Sequence, residues 1–359
     1  MEKMRTRNRK GCSPTAGPSP EAVEGIQREM YQGRERRRGP EDEHAVTVRL
    51  ARTVQELTAA YALLHRQYVL AGFQDADPSG LRFTPHFALP TSHTLVAVAG
   101  KGAEVVGTLT LVVDGALGLP MEAEYPREIA ALRASRPRLA EVSGLAIRRA
   151  QDRVVAVNLI RATYAFALHV LGVSDLCIAV NPAHRGFYEK VLLFETFGQI
   201  RPYAYVKGAE AVPMRADLTT EEDRFRRVHG ANAIGRIFLG KGAAESPGTS
   251  RPEQGLEAAP GTEGIDIRAL AKRLEQDAPS ALSARFEMVQ ACYHPPAGAQ
   301  AASPAASWSE RERAVVSWAY AELLGKLVSP PSKARVQTGV PQGRTARAIL
   351  FGVVASPTR

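Results

Sequence analysis

One stretch limits what this chain can fold into: Leu139-Ala-Glu-Val-Ser-Gly-Leu-Ala-Ile147 and the apolar run that follows it. Val142, Leu145 and Ile147 give the first part the character of a strand, with one ionisable residue, Glu141, near its start. A polar turn, Arg148 to Arg153, then leads into Val157, Ile160, Tyr164, Ala167, Leu168 and Leu171, whose spacing predicts one face of a helix. Asp152 is placed to cap that helix and Gly172 to end it. A strand, a tight turn and a helix whose N-terminus faces the strand's carboxyl end form a usual receptor for a phosphate, because unpaired N–H groups and the helix dipole meet there.

The flanking pattern sets the fold class. Val46–Leu50 alternates as a strand, and Glu56–Leu70 has helical spacing. Thr94–Ala99 and Val105–Val113 read as a hairpin joined at Gly100–Ala103, and Glu128–Ser135 as a short helix. After the central unit come a strand Asp175–Val180 ended by Asn181-Pro182, a helix Phe187–Leu193, and strands over Gly198–Val206 and Pro213–Leu218. Several antiparallel strands followed by strand–helix–strand predict an α+β mixed sheet, not a doubly wound one. Gly72–Pro90, rich in turn formers, reads as a loop with its own task.

Charge is concentrated at the ends. Lys3, Arg5, Arg7, Arg9 and Lys10 against Glu2 give +4 at one end, and Lys326, Lys333, Arg335, Arg344, Arg347 and Arg359, with no acid among them, give +6 at the other, which is more than the whole net +9. Such ends could meet nucleic acid or anionic lipid, or could be solvated tails. The domain plan expected is a disordered basic tail (1–43, with one short helix around Glu21–Arg37), a folded α+β domain (44–240), a linker (241–264), a helical extension (265–328) and a second basic tail (329–359). Within the extension, Ile265–Gln276, Leu282–Cys292 and Ser309–Leu327 read as helices, the last opened by a capping box from Ser309 to Glu312.

Cys12, Cys177 and Cys292 lie far apart with no paired spacing, which fits a reducing compartment and argues against a disulfide framework or a zinc site. His65, His86, His93 and His169 have no ligand-like spacing, and Asp75 and Asp77 fit turn positions better than calcium ligation. No apolar segment of secretory or spanning type is seen, so the expected location is the cytoplasm and no tightly bound cofactor is expected.

Several stretches together resemble the bacterial N-acyl amino acid synthases, long-chain acyltransferases of the GNAT fold. They are Tyr68-Val-Leu-Ala-Gly-Phe73, Leu81-Arg-Phe-Thr-Pro-His-Phe-Ala-Leu-Pro90, Thr108-Leu-Thr-Leu-Val-Val-Asp114, Gly118-Leu-Pro-Met121, Ala140-Glu-Val-Ser-Gly-Leu-Ala146 and Asn181-Pro-Ala-His-Arg-Gly-Phe-Tyr188. The resemblance spans about residues 46–220. It implies a sheet splayed at its centre with the acyl donor threaded into the split. It also implies transfer of a fatty acyl group from the phosphopantetheine thioester of acyl carrier protein to an amino acid's α-amine.

Read residue by residue, the turn Ile147–Arg153 holds no glycine. Relatives that use free coenzyme A commonly have a glycine-rich turn here to wrap a pyrophosphate, whereas a carrier-bound arm presents a single phosphodiester. Arg148, Arg149 and Arg153 could meet that phosphate or the carrier's acidic surface, or could form a solvated turn. Leu145, Ala146 and Ile147 would offer backbone N–H groups to the donor and to the tetrahedral oxyanion. Glu141 is the candidate base for the amine, against a surface or Arg-paired glutamate. Tyr188 is the candidate acid for the leaving thiolate, or a packing residue. Asn181 and His184 could bond pantetheine amides or cap a helix. Arg82, then Arg66, are candidates to hold an acceptor's carboxylate by bidentate bonding.

Two other readings stay open. Acyl-homoserine lactone synthases typically carry Glu-x-Ser-Arg on this strand, whereas here Glu141-Val-Ser143 is followed by Gly144. A non-catalytic module binding carrier protein or nucleic acid through the basic ends would show salt-sensitive binding lost with those ends, and indifference to Glu141→Gln.

Overall fold

The computed structural model describes residues 46–100, 104–149, 152–230, 235, 266–295, 298 and 302–325. Both basic ends, the 243–264 stretch and the helix expected near Glu21–Arg37 lie outside these residues. In chain order the elements are β1 (Val46–Leu50), α1 (Val54–Leu70), α2 (Pro85–Ala88), β2 (Ser92–Ala99), β3 (Glu104–Val113), α3 (Pro126–Ser135), β4 (Leu139–Ile147) and α4 (Arg153–His169). There follow β5 (Asp175–Val180), α5 (Arg185–Lys190), β6 (Glu195–Thr196), β7 (Arg201–Tyr203), β8 (Ala209–Asp217), α6 (Glu221–His229), α7 (Ile267–Tyr293) and α8 (Glu310–Leu323).

The sheet runs β1-β2-β3-β4-β5-β8-β6, with β7 also on β8. Every pair is antiparallel except β4–β5, which the crossover through α4 makes parallel. This is the mixed sheet expected. Its decisive feature is how briefly that parallel pair lasts. Leu139, Ala140 and Glu141 face Asp175, Leu176 and Cys177, and there the pairing stops. Beyond it β4 stays with β3 to Ile147, while β5 stays with β8 to Val180. The sheet is split from Glu141 outward.

A bulge bends β4 inside the split. Ser143 faces Thr110 and Ala146 faces Thr108, so Gly144 and Leu145 together oppose Leu109. Gly144 has φ +66°, and a Cβ there would stand 3.0 Å from Leu64 and 3.1 Å from Phe87. A side chain there would be strained by the left-handed backbone and would press on Leu64 and Phe87, so glycine is the favoured residue.

Helix α4 starts as expected, with the Asp152 carboxylate accepting from Val155 N–H at 3.3 Å. It ends at His169, and Gly172 takes the left-handed conformation (φ +63°) three residues later. Its deepest face differs from the predicted one: Val155, Leu159, Ala162 and Phe166 are fully buried, whereas Val157, Ile160, Tyr164 and Leu168 are half-buried. The reason is that α4 is covered on two sides. Val155 and Leu159 press on the sheet at Gly107, while the helix's other apolar residues meet α7 and its neighbours.

Three further expectations are corrected. The strand expected over Gly198–Val206 is only Arg201–Tyr203, followed by a 3-10 turn Ala204–Val206 that leads into left-handed Lys207 (φ +56°). The helices expected at Ile265–Gln276 and Leu282–Cys292 are one, α7, running through Pro279. Proline removes one helix hydrogen bond, but Leu274, Ala278, Ala281 and Leu282 stay buried on both sides of it, and that packing carries the helix across. Helix α6 has no counterpart in the predicted pattern. By contrast α8 begins with the capping box expected of Ser309 and Glu312.

The extension shares the sheet's core. The first half of α7 (Leu270, Leu274, Ala278) packs with α4 on one face, and its second half (Leu282, Met288, Val289) packs with α1, α2 and α8 on the other. Between them α7 passes along β1, covering the sheet's exposed edge.

Candidate active site

Glu141 sits at the apex of the split, the last β4 residue paired with β5. The connection after β3 turns through a short 3-10 helix, Pro120–Ala123, whose N-terminal N–H groups have no partner within the turn. One of them, Met121 N–H, donates to Glu141 Oε2 at 2.8 Å. From the far side of the split, the Tyr203 hydroxyl donates to Oε1 at 3.4 Å. The carboxyl group is 1% exposed, and among the described residues no cation lies within ion-pair distance of it. The Arg-paired alternative therefore does not hold. Burial pushes its pKa up to about 8, against the downward pull of the Met121 and Tyr203 bonds and with a small upward push from Glu124. Facing it across the strands, the buried Cys177 thiol is pushed well up by burial and by that carboxylate.

A cluster of tyrosines around an arginine adjoins the carboxylate. The Arg82 guanidinium lies between the rings of Tyr68 and Tyr205, at 4.5 and 4.7 Å from their centroids. It donates to Gln74 Oε1 and to the Tyr205 carbonyl, both at 2.7 Å, and its Nε is buried with no hydrogen-bond partner. Tyr205 stacks on Tyr203 at 5.8 Å, and its hydroxyl is 2.9 Å from Thr84 Oγ1. Lys207 bonds Asp75 at 2.7 Å. The Gly72–Pro90 stretch is thus tied to the turn after β7. Burial raises the pKa of Tyr68, Tyr203 and Tyr205, and the Glu141 charge adds to the rise in all three, which sets the cluster beside the carboxylate.

The two strand ends that part beyond Glu141 are apolar. Val142, Ile178, Val180, Met214, Tyr188 and Phe194 pack together there. On the β5 side of β4, the backbone groups from Val142 to Ile147 have no strand partner. Tyr188 is half-buried on α5, against Phe187 and Phe194, and burial pushes its hydroxyl up to about 12, so it is protonated at neutral pH.

The other expected residues are distributed unevenly. Arg148 is ion-paired to Glu104, Arg149 is exposed, and Arg153 is exposed in the first turn of α4. Asn181 caps the turn Pro182–His184 by accepting from Ala183 N–H at 2.9 Å, and His184 is exposed. Arg66 is exposed on α1 and takes no part in the interactions of the cluster. Sequence reasoning missed Met121, Tyr203, Tyr205 and Thr84 as site residues. Read as part of the expected strand, the Tyr203-Ala-Tyr205 spacing would put two rings on one side and was the one available signal; the rings do stack, although Tyr205 lies in the 3-10 turn. Among the described residues no group of three or more His, Cys, Asp or Glu could hold a metal ion, and no helix is long and apolar enough to cross a membrane.

A second buried carboxyl lies away from this site. Glu221, at the start of α6, is 2% exposed, makes no hydrogen bond and is pushed up to about 8 by burial. Arg224 stands 3.9 Å away, and the buried Tyr164 hydroxyl, also without a hydrogen bond, feels its charge.

Residues 59–217 match the family model described as N-acyl amino acid synthase FeeM. Among solved structures, the chain is similar to FeeM, an N-acyl amino acid synthase from uncultured soil microbes, at 28% identity over 50% of this chain and 94% of that one, with a TM-score of 0.45. The acyl-homoserine lactone synthase LasI is 15% identical over 54% of this chain and 98% of that one (TM-score 0.40). A variant of the spermidine N-acetyltransferase SpeG from Vibrio cholerae is 14% identical over 50% and 97% (TM-score 0.34). No curated protein matches the chain significantly.

Proposed function

We propose, from the premise that residues 59–217 carry the N-acyl amino acid synthase match and make this protein an N-acyltransferase of GNAT-like fold, that it moves a long-chain fatty acyl group from acyl carrier protein to the α-amine of an amino acid. The observation that carries the chemistry is Glu141: a carboxylate with no ion-pair partner, pushed up to about 8 where the central strands separate. A base with that affinity is ionised often enough near neutral pH to take a proton and holds it well enough to drive the transfer.

In this reading the acyl thioester lies in the apolar opening between β4 and β5, with Val142, Ile178 and Phe194 along the chain or its pantetheine arm. Its carbonyl oxygen takes the place of a missing strand partner, bonding N–H groups in the Leu145–Ile147 stretch. The acceptor's neutral amine attacks the carbonyl carbon, its proton passes to Glu141, and the C–S bond breaks. The thiolate takes a proton from Tyr188, whose hydroxyl is still protonated at neutral pH. Arg82 holds the acceptor carboxylate through its unsatisfied Nε edge. Arg149, exposed where the turn meets α4, and Arg153, exposed in the first turn of that helix, meet the phosphodiester or the carrier's acidic surface. An arginine at position 144, as lactone synthases carry, would need a left-handed backbone and the space filled by Leu64 and Phe87.

Mass spectrometry of lipids from a bacterial host expressing the protein tests this directly. N-acyl amino acids support it; acyl-homoserine lactones, or no new acylated product, overturn it.

A further inference from the structure

The family match ends at residue 217, yet 266–323 pack on the same core. Three side chains from that later part reach the same short segment and bond its backbone carbonyls. Arg285 of α7 donates to Phe87 O at 2.7 Å, Trp308 Nε1 to Phe83 O at 3.2 Å, and the Tyr320 hydroxyl of α8 to Ala88 O at 3.0 Å. All three are nearly fully buried, as are the residues they bond. Rings reinforce the contact: Phe83 lies between Tyr61 (4.9 Å) and Trp308 (5.7 Å).

Arg285 is an uncommon choice for this task. Its guanidinium is 1% exposed, with no carboxylate at ion-pair distance among the described residues. It is met instead by three neutral acceptors, Phe87 O, Tyr61 Oη and Thr94 Oγ1. A buried charge is a poor source of stability, since apolar side chains of like volume commonly do as well. What it does supply is direction, because a planar donor fork fixes a carbonyl's position and a leucine does not.

The clamped segment leads straight into the site. Arg82 precedes Phe83, Thr84 meets the Tyr205 hydroxyl, and Phe87 presses on Gly144 in the bulge of β4. We propose that the extension is a clamp on the acceptor side of the site: Arg285, Trp308 and Tyr320 are positioning residues that hold Phe83–Ala88 by its carbonyls and so fix Arg82 and Thr84 for the acceptor. This rests on the reading of Arg82 as the acceptor's carboxylate contact.

The experiment uses the full chain with Arg285→Met, Trp308→Phe and Tyr320→Phe, each keeping most of the buried volume. Hydrogen exchange is read over 82–88, and steady-state kinetics are read for acceptor and donor separately. Faster exchange in that segment and an acceptor KM raised roughly tenfold, the worth of one buried hydrogen bond, are expected, with donor KM unchanged. A general loss of stability would instead lower the active fraction and leave both KM values alone. Unchanged exchange at Phe83–Ala88 in folded variants overturns the clamp, and so does faster exchange with an unchanged acceptor KM. Arg82→Met is run beside them: if it leaves the acceptor KM unaltered, the reading of Arg82 fails, and exchange alone then decides whether the extension holds the segment.

Discussion

Glu141 on β4 and Glu221 at the start of α6 are both buried and both pushed up to about 8 by that burial. Around Glu141 stand a turn N–H, a tyrosine hydroxyl, an arginine-centred aromatic cluster and an opening in the sheet. Among the described residues no donor reaches Glu221 within hydrogen-bond distance: a guanidinium stands 3.9 Å away, and a tyrosine hydroxyl that feels its charge is itself unbonded. The pair shows that a raised carboxyl pKa reports chiefly lost water and does not by itself mark a base. What separates a working base from a buried liability is whether the group has donors that orient it and a space where a substrate atom can reach it.

The largest effect expected from breaking this contrast is at Glu141. Glu141→Gln keeps the shape and removes the base, so the rate of acyl transfer falls by about 10²–10⁴-fold, read as free thiol released from the donor. Tyr203→Phe comes next. The hydroxyl favours the ionised carboxylate, so its removal moves Glu141 further up and lowers turnover several-fold at pH 7, about tenfold per unit of displacement, with recovery at higher pH. Equal losses at pH 7 and pH 9 would show that Tyr203 only packs. Glu221→Gln is the smallest. Turnover is unchanged, and a thermal melt reports the effect instead. A carboxyl raised on folding contributes stability that is fully present below its unfolded pKa and is lost as pH rises through about 8. The glutamine variant escapes that loss, so it matches the native protein near pH 4 and melts a few degrees higher at pH 9. A turnover defect in Glu221→Gln would erase the distinction between the two groups.

How much of this was legible in the sequence follows from the range of the interactions involved. β4 and β5 were readable to the residue because buried strands leave short, largely apolar runs between turn formers. Glu141 stood out as the one ionisable residue in such a run. Its partners did not, since Met121 and Tyr203 are brought to it from 20 and 62 positions away. The continuity of α7 was hidden because Pro279 is a local signal and the packing that overrides it is tertiary. The inward face of α4 was misjudged for a related reason: a helix covered on two sides has no single stripe. Gly144 gave a sign that sequence could record but not explain until its left-handed backbone was seen against Leu64 and Phe87.

The central claim is that the carboxylate at the split is the base. Its most direct test is the pH dependence of acyl transfer at saturating acceptor, where the profile reports groups of the bound enzyme, for the native protein and Glu141→Gln together. The account predicts a native rate that climbs with pH to a midpoint near 8, as the carboxyl becomes ionised, and a variant whose small residual rate lacks that limb. A Glu141→Gln enzyme that keeps both the native rate and the limb would contradict it.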